Sequence, residues 1–224
     1  MDKRFLGILA AIVIIFVVIF TVTQNSSSNS NGNGSGAQPT SHVKGQGSTG
    51  VKLVEYGDYE CPICEEYYPI LNQVAQKFTK QIHFQFRNLP LTQIHPNAFA
   101  AARAAEAAGL QAKYWQMHDK LYTNQSTWAS ASNPVTYFDT YAQQIGLNMD
   151  QFKNDYSSSK VNDAINADLN AFSKTGKPEA TPTFFLDGQY IDNTRLSDPN
   201  TGQPSVTLFS QVLNAEIAKK TGKS

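Results

Sequence analysis

The sequence predicts an α/β domain: a small central sheet with helices on both faces and an all-helical subdomain between its two halves. Three observations carry this. A strand-like run, Val51–Tyr56, is followed by a helical pattern and a second strand-like run, Ile82–Phe86. Residues 95–175 then read as a series of helices. The chain finally returns to two short strands around an Asp-Gly turn and closes on an amphipathic helix.

Taken in order, the chain of 224 residues has a formal net charge of zero, which suits one globular domain plus an appendage and argues against a nucleic-acid partner. The appendage is Phe5–Val22, "FLGILAAIVIIFVVIFTV". It carries no charge and would reach about 27 Å as a helix, enough to cross a bilayer. Lys3 and Arg4 precede it and no Lys or Arg follows until Lys44, so the N-terminus is expected in the cytoplasm and the remainder outside. Residues 1–23 are therefore expected to form a cytoplasmic stub and a single-pass anchor in the cell membrane. A cleaved signal peptide is the alternative, although "FTVTQNSSS" lacks a convincing small-x-small site. Either way the domain is exported to a compartment where disulfides persist. Residues 24–50, rich in Ser, Gly and Asn with one large aliphatic side chain, are expected to be a flexible tether, and 51–224 the folded domain.

"VKLVEY" joins β-branched and aromatic residues and reads as a buried strand ended by Gly57. From Pro62 to Lys80, Ile63, Tyr67, Ile70, Leu71, Val74 and Phe78 recur at helical spacing, with Pro69 expected to kink the helix. "IHFQF" alternates as a strand, and the three elements make a βαβ unit with parallel strands. Pro96 and Gly109 bracket an Ala-rich helix, and further helices are expected over Ala112–Thr123, Pro134–Ile145, Met149–Tyr156 and Val161–Ser173. "TPTFFLDGQYI", Thr181–Ile191, is a hairpin about Asp187-Gly188. Val206–Lys220 places Leu208, Val212, Leu213 and Ile217 on one face of a closing helix.

The only two cysteines, Cys61 and Cys64, are separated by Pro62 and Ile63. A zinc site needs about four ligands, and no second cysteine pair accompanies His42, His83, His95 and His118. As a purely structural crosslink the pair is weak: so small a ring gives roughly 2 kcal/mol, against about 3 for a fifteen-residue loop. A redox dithiol explains the placement. Cys61 would stand at a helix N-terminus, where free N–H groups and the dipole stabilise a thiolate, and Cys64, one turn deeper, would be the resolving thiol. Glu55 lies within an apolar strand, where a carboxylate needs a raised pKa or a partner, with Arg87 as one candidate. The alternative is that Glu55 faces water at the strand end.

The strand, "EYGDYECPIC", the helix and the late "TPTFF" together resemble DsbA-like thiol-disulfide oxidoreductases of the thioredoxin superfamily, across nearly all of Val51–Ser224. "HPNAFAAARAAEAA" is similar to the start of the helical insertion in this group's membrane-tethered bacterial members. The resemblance implies a thioredoxin-like fold with catalytic Cys61 and Cys64. It also implies a cis bond before Pro182, with the Thr181 backbone pairing with a substrate chain, and Glu55 exchanging a proton with Cys64. Ala180 stands where the family often has glycine, and Ile63 where the most oxidising members have histidine. With Glu60, Glu65 and Glu66 nearby, Pro62-Ile63 therefore predicts a less extreme oxidant. By the same resemblance no cofactor is required, the substrates are exported protein thiols or disulfides, and a membrane thiol oxidase restores the disulfide. A reductase or isomerase on the same fold, a non-catalytic peptide holdase and, more remotely, a copper or zinc carrier are the rival readings.

Overall fold

The sheet is built on β2 (Val51–Gly57), whose odd-numbered and even-numbered residues point to opposite faces. The computed structural model describes residues 37–222. The expected anchor, and residues 24–36 of the expected tether, lie outside them. Among the described residues no helix is long and apolar enough to cross a membrane.

β2 pairs in parallel with β3 (Ile82–Asn88) through α1 (Pro62–Lys77), which is the expected βαβ unit. On its other side β2 pairs antiparallel with β4 (Thr183–Leu186), and β4 pairs antiparallel with β5 (Gln189–Ile191). The β4–β5 turn has positive φ at both Asp187 and Gly188, which is what the Asp-Gly signal requires. The sheet is mixed, ordered β1-β3-β2-β4-β5, with β1 (His42–Lys44) at one edge. α1 and α8 (Val206–Thr221) cover one face, with Tyr67, Leu71 and Val74 from α1 and Phe209 and Leu213 from α8 packed on Val51, Leu53, Phe184 and Leu186. Each of these large side chains contributes about 1.5–3 kcal/mol by leaving water. α1 runs unbroken through Pro69, which sits on its exposed side, where water can serve the Glu65 carbonyl that Pro69 leaves without an N–H.

Between β3 and β4 lies the helical insertion: α2 (Ala98–Gly109), α3 (Tyr114–Thr123), α4 (Gln125–Trp128), α5 (Val135–Gln144), α6 (Met149–Tyr156) and α7 (Ser159–Ser173). Seven buried alanines of α2 leave room for close packing, and Trp128 and Phe138 fill the subdomain with an edge-to-face pair. α6 and α7 start on side-chain caps from Asn148 and Ser158. α7 returns along the sheet face opposite α1, where Phe172 meets Val54, Tyr56 and Phe185.

The tether expectation for residues 24–50 requires correction. Residues 37–50 belong to the fold, which begins before Val51, and β1 (His42–Lys44) pairs antiparallel with β3. Hydrogen bonds, not apolar burial, hold it. Asp168 of α7, fully buried, accepts from Thr40 N and Oγ1 at 2.7 Å each and from Asn88 N at 2.9 Å. The Glu106 carboxylate of α2 lies 2.9 Å from His42 Nε2 and accepts from Asn88 Nδ2 at 2.7 Å. Tyr114 stacks on His42 with ring centroids 3.4 Å apart. Asp168→Ala is expected to lower stability by about 2–4 kcal/mol and to release β1 first, because it strands several buried donors at once. Urea unfolding together with amide exchange at residues 40–44 measures both effects.

Candidate active site

The site forms where β2 ends and α1 begins. A Cβ at Gly57 would lie 2.5 Å from the Phe86 ring and 3.2 Å from Glu55 Oε1, so glycine alone lets that ring close over the strand end. Asp58 then fixes the loop: its carboxylate accepts from Glu60 N at 2.7 Å and Leu91 N at 2.8 Å, and lies 2.7 Å from His95 Nδ1. His95, read from sequence as a helix-entry residue, is thus an anchor of the active-site loop. The helical subdomain clamps the same loop through Gln125, whose amide donates to the carbonyls of Tyr59 at 2.8 Å and Cys61 at 2.9 Å. Neither Asp58 nor Gln125 carries a sequence signal that pointed to this role.

Cys61 is the N-cap of α1 and Pro62 opens the first turn, where its missing N–H costs nothing. The environments of the two cysteines differ: Cys61 keeps 6 % of its surface, while Cys64 is sealed beneath it at 0 %. The Cys64 thiol donates a hydrogen bond to Cys61, and this, helped by the backbone N–H groups of Ile63 and Cys64, outweighs partial burial and brings the Cys61 thiol down to about 6. Burial, and then the neighbouring Cys61 sulfur, push the Cys64 thiol well above its ordinary value. Ile63 stands 47 % exposed beside the pair.

The Thr181–Pro182 bond is cis, and it brings the Thr181 carbonyl oxygen to 3.5 Å from Cys61 Sγ. Asn193 Nδ2 donates to the Pro182 carbonyl at 2.9 Å and holds this loop against the end of the hairpin. Ile63, Tyr67, Asn193 and Ser197 line a cavity of about 480 Å³ that opens alongside, with Glu66 and Asp198 at its edge.

Glu55 does not face water. It is 2 % exposed on the α1 face of β2, and burial, with the Cys61 charge adding, raises its carboxyl to about 8 against an opposing pull from Lys44. Arg87 is not its partner. Register places Arg87 opposite Tyr56 on the other face, where its Nη1 donates to the Tyr56 hydroxyl at 2.7 Å. The cation that acts on Glu55 is Lys44 of β1, within the stretch read from sequence as tether. Lys44 reaches Asn72 Oδ1 at 3.3 Å and lies 4.2 Å above the Trp115 ring.

A mixed sheet with a dithiol at the start of its first covering helix, a cis-proline loop facing it, and helices inserted before the final hairpin is the fold of DsbA-type thiol-disulfide oxidoreductases. The family model described as "Thioredoxin" matches residues 37–200, and the chain belongs to that family. Two solved structures share the architecture. One is the oxidised BdbD of Bacillus subtilis, 20% identical with a TM-score of 0.66 over 83% of this chain and 99% of that one. The other is alpha-DsbA1 of Wolbachia pipientis, 19% identical with a TM-score of 0.67 over 84% and 96%. Among curated relatives, a protein named Na(+)/H(+) antiporter NhaA 1 from Salinispora arenicola is 37% identical over 153 residues, which are 66% of this chain and 22% of that protein. One of the same name from Mycolicibacterium gilvum is 36% identical over 157 residues, 23% of its length. The chain thus spans about a fifth of the length of the curated relatives it matches.

Proposed function

We propose that this domain is a thiol-disulfide oxidoreductase that forms or exchanges disulfides in exported proteins through Cys61 and Cys64, held at the cell membrane by the N-terminal apolar segment. One observation carries the reading: two thiols one helical turn apart, the outer one ionising easily and the inner one buried and protonated, above a buried acid. In the oxidised form a substrate thiolate attacks Cys61 Sγ. The Cys61–Cys64 bond breaks, and Cys64 leaves, taking a proton from neutral Glu55. A second substrate thiolate attacks the substrate sulfur of the mixed disulfide and expels Cys61 as its thiolate. The substrate loses two electrons to a new disulfide, and the domain gains them as a dithiol. A membrane thiol oxidase then removes those electrons, with no bound cofactor needed in this chain.

The backbone of Thr181, beside Cys61, is suited to pair with an extended substrate strand. The relatives named as antiporters support a modular reading, since the matching segment is a minor part of each and so accompanies chains with other work to do.

Direction follows from thiolate stability. A Cys61 pKa of about 6 lies between the values near 7 and near 3.5 for a reducing thioredoxin and a strongly oxidising DsbA. The expected reduction potential accordingly falls between roughly −270 and −120 mV. Equilibration of the dithiol against glutathione buffers measures it. A value below about −270 mV would favour the reductase reading. Oxidative folding of a reduced, denatured substrate that proceeds equally well with Cys61→Ser would leave only the peptide-binding alternative.

A further inference from the structure

The face of the sheet opposite the dithiol holds a cavity of about 570 Å³, within the roughly 300–1,000 Å³ range of small-molecule sites. Strand alternation and register put Val54 and Tyr56 of β2, Gln85 and Arg87 of β3, Phe185 of β4 and Tyr190 of β5 on this face. The C-terminal end of α7 and Lys177 beyond it form the far wall. Nothing in the dithiol chemistry uses these groups.

Charge there points to an anion, and the Arg87 guanidinium is the donor it would meet. Lys52, Arg87 and Lys177 all line the cavity, no carboxylate does, and none of the three forms an ion pair among the described residues. The guanidinium is fixed by the 2.7 Å bond from Arg87 Nη1 to the Tyr56 hydroxyl, yet its Nε–H is buried without a partner. Gln85, 2 % exposed, donates Nε2 to the Thr40 carbonyl at 2.6 Å. A carbonyl only accepts, so the amide cannot be reversed, and Oε1 is left as a buried acceptor that calls for a donor and forms no part of the case for an anion. Such unpaired buried groups cost about 1–3 kcal/mol each, and in native folds they ask for an explanation. Tyr56, Phe185 and Tyr190 supply aromatic surface, with Tyr190 40 % exposed at the rim and Lys177 Nζ 4.2 Å from its ring centroid.

We propose that this cavity is a binding site for a small aromatic carboxylate. The carboxylate meets Arg87 and Lys177, and the flat apolar body lies against the three aromatic rings. A guanidinium is suited to a planar carboxylate, and the cation–aromatic rim to a ring attached to it.

Naphthalene-2-carboxylate is the probe, with neutral naphthalene-2-carboxamide as its uncharged twin, titrated calorimetrically into the full-length chain. The acid is expected to bind at least tenfold more tightly than the amide, and alkylating Cys61 is expected to leave that affinity unchanged within twofold. Arg87→Gln should erase the preference for the acid. Lys177→Gln, at an exposed position where folding is not at risk, should weaken the acid at least threefold and leave the amide alone. The proposal is overturned if acid and amide bind equally, if neither binds at millimolar concentration, if Lys177→Gln leaves the acid's affinity intact, or if alkylation of Cys61 abolishes binding.

Discussion

Cys61→Ser is expected to lose thiol-disulfide turnover to the uncatalysed background, while in Cys64→Ser the Cys61 thiolate still attacks a disulfide-bonded substrate, expels one substrate thiolate and, with no resolving thiol, stays trapped as a mixed disulfide. The difference is one of environment, since both residues carry the same chemical group. Cys61 is the N-cap residue of α1, its thiolate is stabilised by Cys64 and by the nearby N–H groups of the first turn, and it touches solvent. Cys64 is sealed, and burial holds its proton in place. Iodoacetamide titration of the reduced protein should therefore modify Cys61 alone, with a midpoint near pH 6, and leave Cys64 untouched up to pH 8. Equal labelling of the two sulfurs, or a midpoint near 9, would contradict the proposed division of labour. In Cys64→Ala the Cys61 midpoint should rise, because its largest stabilising contact is the hydrogen bond from Cys64.

Glu55→Gln should stabilise the reduced protein and slow its chemistry. In the folded state the carboxyl is raised from 4.5 to about 8, chiefly by burial. A raised acid pKa means that the folded state binds the proton more tightly than the unfolded chain. Its contribution is complete below about pH 4.5 and is lost as pH climbs towards 8. At pH 7 the wild-type side chain thus costs roughly 3 kcal/mol relative to a neutral one, and Glu55→Gln should recover most of that, with no gain near pH 4. Urea midpoints at pH 4.5, 6 and 7.5 trace the curve, and a flat difference between the two proteins would refute the assignment. On the kinetic side, resolution of the mixed disulfide by Cys64 should slow by about 100-fold, the scale of a lost general base. Retention of a stability penalty at Glu55 without that rate effect marks a buried acid with no part in proton transfer.

The strands from Val51 onward, the cysteine pair and the hairpin were legible because each is written in neighbouring residues, while Pro182 stood out only through the family resemblance. β-Branched and aromatic residues at Val51–Tyr56, alternation at Ile82–Phe86, a helical period from Pro62, an Asp-Gly pair and a Cys-Pro-Ile-Cys spacing are local signals. What was missed is long-range and polar. β1 contains one aliphatic residue, and its hold on the fold comes from Asp168, which is 128 positions from Thr40. Gln125 clamps the Cys61 carbonyl from 64 positions away, and Asp58 meets His95 from 37. No periodicity announces such partners. Arg87 misled for a related reason. Near Glu55 on the neighbouring strand, it pairs in register with Tyr56, and one step along a strand reverses the face.

The three residues of β1 have a practical bearing on how the domain can be shortened. A version trimmed to start at Val51 would strip the hydrogen-bonding partner from one rim of the sheet and leave the outer side of β3 bare, a ready template for a stray chain to add itself. Starting instead at Ala37 keeps that rim occupied, and with it Lys44, the lysine that pulls on Glu55.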